Sequence, residues 1–345
     1  MPWSSCKRMS AAALQWPLFD SDAQFNQAQV ALAEAELADG LPLVVPTYER
    51  MREMLRGIDD ADAPCGLMPP LFGQVSVRAV AYQCVLAGCL PAELDVVMAA
   101  TVACLEPRLN LLGLLTTTGT PAIALAVHLG AGRQGWLNGG TNALGPGHRA
   151  NACVGRALSL VMRNVAGAKD GVADMATMGQ PGKYTFAFAE QSFPAWRSYA
   201  QRRGLADDVS GVTVFGASGT AEVLPLDNAN TAARILEPVV VAMAASIEST
   251  GARRHVERAI DCAQVLLLPP ELANTLARLD FDAHAVESYL TQGLAQRLGL
   301  DGSSMPGLQA HMLVVGGPGV KMTLMPLWAG GSVPVTAAVA RVRSW

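Results

Sequence analysis

The chain has 345 residues, 51% of them apolar and 16% charged, with a formal charge of −4 from 25 Lys+Arg against 29 Asp+Glu. So little charge on so much apolar bulk excludes a disordered chain and a coiled coil. No stretch of five or six like charges occurs, which argues against nucleic-acid and membrane-surface partners. The apolar excess predicts a large core and a buried subunit interface, hence a homo-oligomer. Apolar runs such as Val96–Leu105 stop well short of the ~20 residues a spanning helix needs. The cysteines, seven in all, form no Cys-x-x-Cys pair, and no His-Glu-x-x-His occurs. The expectation is a reduced, cytoplasmic chain without a disulfide scaffold, metal or cofactor.

Residues 1–25 lack periodicity and read as an irregular tail rather than a signal peptide. Asp22–Asp39 has the pattern of an amphipathic helix. Leu41–Val45, ended by Pro46, reads as a short strand, and Thr47 then caps a helix over Tyr48–Arg56. Asp59–Gly73 is rich in Asp and Pro and reads as a loop. Ser76–Ala87 and Ala92–Leu105 are helices apolar nearly all round, so both should be buried. Leu111–Leu115 and Ala122–Leu129 are β-like, and Gly130–Gly147 is glycine-rich. Asn151–Val165 is the next helix and Tyr184–Ala189 the next strand. Further strands are expected at Val212–Phe215, Val265–Leu268, His311–Val315 and Val333–Val342, and helices at Asn228–Ser246 and Ala283–Leu298.

Interleaved strands and helices without a repeat of fixed period give an α/β fold: mixed sheets with buried helices, divisible into two α/β lobes. The expected division is a tail over 1–25, a first α/β region over 26–215 and a second over 216–345.

The densest signal is Asn138–Ala157, where a glycine-rich loop passes straight into a helix. Such a loop lets backbone N–H groups approach a ligand, and the helix start adds partial positive charge. Arg149, Cys153 and Arg156 share one helix face, a stripe that Arg163 continues. They suit a carboxylate or phosphate, or else pair with nearby Asp. Cys153, flanked by two arginines, is either a reactive thiolate or a small packing residue. His148 is the histidine in a ligand-like context, whereas His128 and His311 lie in apolar runs and read as buried, hydrogen-bonded residues. Lys183 follows a tight turn before a strand, and Lys321 follows one after a strand, near the strand end where α/β proteins bind ligands. Both turns also read as ordinary turn chemistry with a solvated lysine. Asp174 and Glu190 are each a general base or an arginine partner.

Four ordered segments resemble the bacterial UGSC (seleno)protein family. They are Asp39–Thr47, Ala87–Glu93, Gly145–Asn151 with Gly155-Arg156-Ala157, and Gly179–Phe186. The resemblance runs from Asp39 to Phe215, with a looser echo at Gly316–Gly319. It implies thiol or selenol chemistry on a small substrate, with a shared site of Asn142, Arg149, Asn151, Arg156, Lys183 and Tyr184. The chain departs from the family in lacking Cys-Gly-Ser-Cys, since Cys65-Gly66 continues as Leu-Met. It also carries Arg78, Gln83 and Cys84 where Glu, Asn and Ala are usual, and Cys153 where Thr is more familiar. The resemblance therefore implies a partner chain that supplies the Cys-Gly-Ser-Cys motif, or altered chemistry.

The functional expectation is an enzyme or enzyme subunit that makes or breaks a carbon–heteroatom bond in a small anionic substrate, as lyase, hydrolase or thiol-dependent reductase. Asn142, Arg149, Asn151, Arg156, Tyr184 and Lys321 would bind the substrate, while Cys153, Lys183, Glu190 and His148 would act on it. The alternative is a non-catalytic, ligand-binding partner subunit of a thiol- or selenol-dependent complex. A nucleotide or coenzyme A binder is a third reading, against which the absence of a phosphate fingerprint counts.

Overall fold

The computed structural model describes residues 16–130, 136–258, 260–300 and 307–340. Most of the irregular tail expected over 1–25, and part of the glycine-rich stretch at Gly130–Gly147, lie outside them. Helix α1 (Phe25–Glu34) is followed by an extended segment and by α2 (Tyr48–Met54), whose first turn is closed by Thr47 Oγ1 accepting from the Arg50 N–H. The strand expected at Leu41–Val45 is not formed: the segment is extended and Val44 N–H bonds to Leu86 O, but it joins no sheet. Asp59–Gly73 is not all loop, since β1 (Pro64–Met68) pairs antiparallel with β2 (Gly73–Ser76).

Helix α3 (Val77–Ala87) starts at the Ser76 cap, and α4 (Leu94–Cys104) starts behind Pro91; both are largely buried, as their apolar circumference predicts. Leu111–Leu115, expected as a strand, opens the helix α5 (Leu111–Thr116). Asn110, left-handed at φ +54°, starts it and accepts from the Gly113 N–H. A local side-chain cap thus overrides the strand propensity of a short apolar run.

The first four-stranded sheet is built by β3 (Ala122–His128), the crossover helix α6 (Arg149–Asn164), β4 (Ala187–Glu190), the short α7 (Tyr199–Arg202) and β5 (Gly211–Ala217). The chain continues through β6 (Ala221–Val223), α8 (Ala232–Ser249), α9 (Arg253–Val256), β7 (Cys262–Leu268), α10 (Pro270–Arg278), α11 (Ala283–Arg297), β8 (Leu308–Val314), β9 (Met322–Pro326) and β10 (Val335–Ala338). The strands β6 and β9 and the helix α10 escaped the sequence reading, each being short or carrying mixed polarity.

The two sheets share one topology. In the first, with order β10-β5-β3-β4, β3 and β4 are parallel while β5 and β10 run antiparallel to their neighbours. In the second, with order β6-β9-β7-β8, β7 and β8 are parallel and β9 and β6 antiparallel. The edge strands are exchanged: β6 follows β5 but completes the second sheet, and β10 follows β9 but completes the first. β5 crosses position 215, and each half lends its last strand to the other.

Side-chain alternation along the strands produces four layers. Inward residues such as Phe188, Phe215, Val265, Leu313 and Met325 pack sheet on sheet. The outer face of the first sheet packs on α2 to α6, and that of the second on α8, α10 and α11. Among the described residues no single helix is long and apolar enough to cross a membrane.

Candidate active site

The crossover helix α6 carries Arg149, Asn151, Cys153 and Arg156 of the predicted site residues, and the chain itself occupies its arginines. α6 lies close to the segment before β4: a Cβ at Gly155 would come within 2.6 Å of Thr185 Oγ1. Arg156 grips Asp39 with two prongs, Nε to Oδ2 at 2.8 Å and Nη2 to Oδ1 at 2.9 Å, and also donates to Pro42 O and Leu41 O. Arg163 pairs with Asp170 and donates to Ala38 O. Arg149 pairs with the buried Glu93 and donates to Gly88 O at 3.0 Å. The arginine stripe therefore fastens neighbouring chain segments to α6.

The preceding loop is likewise closed on itself. Asn151 is buried; it accepts from the Asn138 N–H and donates to Asn138 O and Ala143 O. Asn142, left-handed at φ +58°, donates to Pro146 O. The N–H groups of Gly140, Ala143 and Gly145 all bond within the loop, which leaves them no anion to cradle. His148 is exposed and makes no cap bond.

The lowered thiol pKa expected for Cys153 is not found. Burial pushes the thiol up, the neighbouring Cys89 and Glu93 push the same way, and Arg149 pulls against them without prevailing. Burial is the main cause, and Glu93, paired with Arg149, adds to it. Cys153 sits against the end of α3, where Gly88 is left-handed at φ +85° and Cys89 N–H bonds to Cys84 O. The Cys84 side chain and burial hold the Cys89 thiol well above its ordinary range. Among the described residues no cluster of His, Cys, Asp or Glu is disposed to hold a metal ion.

Lys183 and Tyr184 line a cavity of about 660 Å³ at the amino end of β3, where Lys183 Nζ binds both oxygens of Asp174 at 2.7 and 2.5 Å. Lys321 stands apart from both cavities, paired with Glu222 on the surface at 3.1 Å.

Glu190 is placed differently. It ends β4 in direct register with His128, which ends the parallel strand β3. Both face the layer between the sheets and both line the floor of a cavity of about 560 Å³. This is the carboxyl end of a parallel pair, the usual place for a ligand in α/β sheets. His128 Nδ1 lies 2.6 Å from Glu190 Oε2, and Nε2 lies 2.7 Å from Thr213 Oγ1. Thr213 in turn reaches Thr336 of β10 at 2.8 Å, and both Glu190 oxygens accept from the Tyr199 N–H at 2.9 Å. A continuous hydrogen-bonded chain thus leads from the cavity floor across the first sheet.

The cavity wall carries Arg197, exposed and without an ion pair among the described residues, together with the hydroxyls of Ser192 and Ser198. The cations lining the other cavity, Arg163 and Lys183, are both paired. Sequence reasoning singled out Glu190, read His128 correctly as buried and hydrogen-bonded, and missed Arg197 and Thr213. The strand-end rule applied to Lys321 was the available signal for His128 as well.

Beside this chain, Tyr199 lies nearly parallel to His128, with ring centroids 6.0 Å apart, and meets His311 edge-on at 5.6 Å. His311 Nδ1 is held by Arg203 at 2.7 Å, and Nε2 is buried with no partner among the described residues. Burial and the flanking Arg203 and Arg202 push the His311 pKa down to about 3. The unfolded chain takes up this proton near pH 6.5, the folded chain only near 3. Stability should therefore be intact above pH 6.5 and fall with acidification, by up to about 1.4 kcal/mol per pH unit from this group. Replacing His311 with Asn should flatten the decline between about pH 6 and pH 4 by about 2–3 kcal/mol, read from urea unfolding across that range.

No protein-family model matches the chain, and no curated protein matches it.

Proposed function

We propose that the chain is an acid–base enzyme acting on a small anionic substrate held in the 560 Å³ cavity at the carboxyl ends of β3 and β4. The observation that carries this reading is the hydrogen-bonded Glu190–His128 pair at the floor of a cavity whose wall also carries the cation Arg197. Arg197 binds the anionic group. Glu190, with a lone pair left beyond its bonds to Tyr199 and His128, takes or returns the substrate proton. His128 fixes the carboxylate through its hydrogen bond, and Thr213 fixes the imidazole in turn. The reaction class is the making or breaking of a carbon–heteroatom bond with proton transfer. A thiol step is not part of the proposal, because Cys153 lines neither cavity and its thiol is held protonated. The resemblance to the UGSC family supports an enzyme of small molecules and lends no residue to this floor.

The test is to incubate the purified chain with a small-molecule extract and follow anionic metabolites by mass spectrometry. Glu190→Gln, which keeps an acceptor for the Tyr199 N–H, should slow the depletion of the substrate by about 10²–10⁴-fold. Arg197→Ala should act chiefly on KM. If the wild type depletes nothing, or the Glu190→Gln variant keeps pace with it, the reading fails.

A further inference from the structure

We infer that the 660 Å³ cavity at the amino end of β3 is a second binding site, for a zwitterionic small molecule of the α-amino-acid type. Its polar wall is built of charge pairs. Asp174 and Lys183 meet at 2.5–2.7 Å, and Arg163 and Asp170 at 2.7 Å. Asp39 is held from behind by Arg156 at 2.8–2.9 Å. Opposite charge is therefore matched at every point on the wall.

That matching selects the ligand. A simple anion reaching Lys183 must displace Asp174 and leave a half-buried carboxylate without its cation. A simple cation reaching Asp174 strands Lys183 in the same way. Either exchange gives back what it gains, because the abandoned charge has lost both its water and its partner. A zwitterion escapes the penalty: its carboxylate takes Lys183, its ammonium takes Asp174, and all four charges end paired.

The pair is built for such an exchange. Its side chains retain 26% and 23% of their exposure, so a ligand can reach them. Asp174 is fixed by its turn, with Oδ1 accepting from the Ala176 N–H and the backbone of Gly171 and Lys169 closing around it. Lys183 is the flexible member. The remaining wall is mainly apolar, with Ile123, Leu160 and Met178 beside the polar Ser159 and Gln180, and Met178 is 85% exposed. An aliphatic side chain fits beside the charged end.

The site is independent of Glu190 and Arg197, which line the other cavity. The experiment is calorimetric titration of the wild-type chain with L-leucine, with 4-methylpentanoate (leucine without its ammonium) and with 3-methylbutylamine (leucine without its carboxylate). Leucine should bind with a Kd of about 1 mM or tighter, and each half-molecule at least tenfold more weakly. Lys183→Met and Asp174→Asn should each weaken leucine at least tenfold, Lys183→Arg should keep it within a few-fold, and Glu190→Gln should leave it unchanged. The inference is overturned if leucine shows no heat at about 10 mM, if either half binds as tightly as the whole, or if leucine follows Glu190 rather than Lys183. The comparison of the three probes uses the unmodified chain, so it stands even if a variant fails to fold.

Discussion

Replacing His128 with leucine alone should lower the unfolding free energy by about 3–5 kcal/mol, and adding Glu190→Gln to the same chain should return most of it. The expectation comes from the duplicated topology. In the second half, the last inward-facing register pair of the parallel strands is Leu267–Leu313, packed apolar against apolar. In the first half the same place holds His128–Glu190, 4% and 8% exposed. The architecture thus closes this end of its inner layer with leucines when nothing else is asked of it. A buried ion pair contributes little net stability over well-packed hydrophobes, but removing one partner strands the other's charge. His128→Leu leaves the Glu190 carboxylate with the Tyr199 N–H alone. Glu190→Gln then removes the charge and still accepts that N–H, so the double variant should stand within about 1–2 kcal/mol of wild type by urea unfolding. It should also be inactive. A double variant as unstable as the single would show that the pair is there for packing, and would take away the reason to read it as a site.

Glu190 and His128 also show how far the sequence alone reaches. Their strands were legible because they are nearly continuous apolar runs, as buried parallel strands must be. His128 reads from sequence as buried and hydrogen-bonded, and it is; Glu190, read as a general base or an arginine partner, has His128 as its partner instead. What was not legible was that they are neighbours: a register pair between strands separated by a crossover helix is fixed by strand order, and no local pattern encodes strand order. The exchange of β6 and β10 between the sheets is hidden for the same reason, and so is the duplication itself, which survives in topology without a repeat in the residues. Short segments failed differently. Leu111–Leu115 has the composition of a strand, and its conformation is decided by the Asn110 cap at one end.

The arginine stripe on α6 was legible as a pattern and ambiguous as chemistry. Four- and three-residue spacing places Arg149, Cys153 and Arg156 on one face whatever that face meets. Whether the guanidinium groups meet a ligand or the chain depends on where Asp39, Glu93 and Asp170 arrive, and the spacing on α6 does not encode that. The same ambiguity governs Cys153, whose thiol would be activated by a free Arg149 and is not activated by one bound to Glu93.

Arg156→Ala should therefore act as a fold mutation and cost about 3–5 kcal/mol of stability. Arg156 and Asp39 are only 15% and 13% exposed, and the guanidinium also ties Leu41 O and Pro42 O to α6. Truncation leaves a largely buried carboxylate without its cation. Acid should reveal the cause. Burial pushes the Asp39 carboxyl up, but hydrogen bonds from Arg156 and from the Leu41 N–H outweigh it and hold the group below the usual carboxylate range. The stability this pair contributes is thus present above about pH 4 and lost as the pH falls through the lowered value. In the Arg156→Ala variant Asp39 has no cation to hold it down, so it protonates earlier and its penalty disappears. The gap between wild type and variant should be widest near neutrality and close below about pH 4, when both are followed by chemical denaturation across that range. Arg156→Lys, which keeps the charge but not the two-pronged grip, should recover part of the loss and the same closing of the gap. A gap independent of pH would mean that Arg156 acts through its carbonyl bonds and its packing, and that Asp39 is indifferent to it.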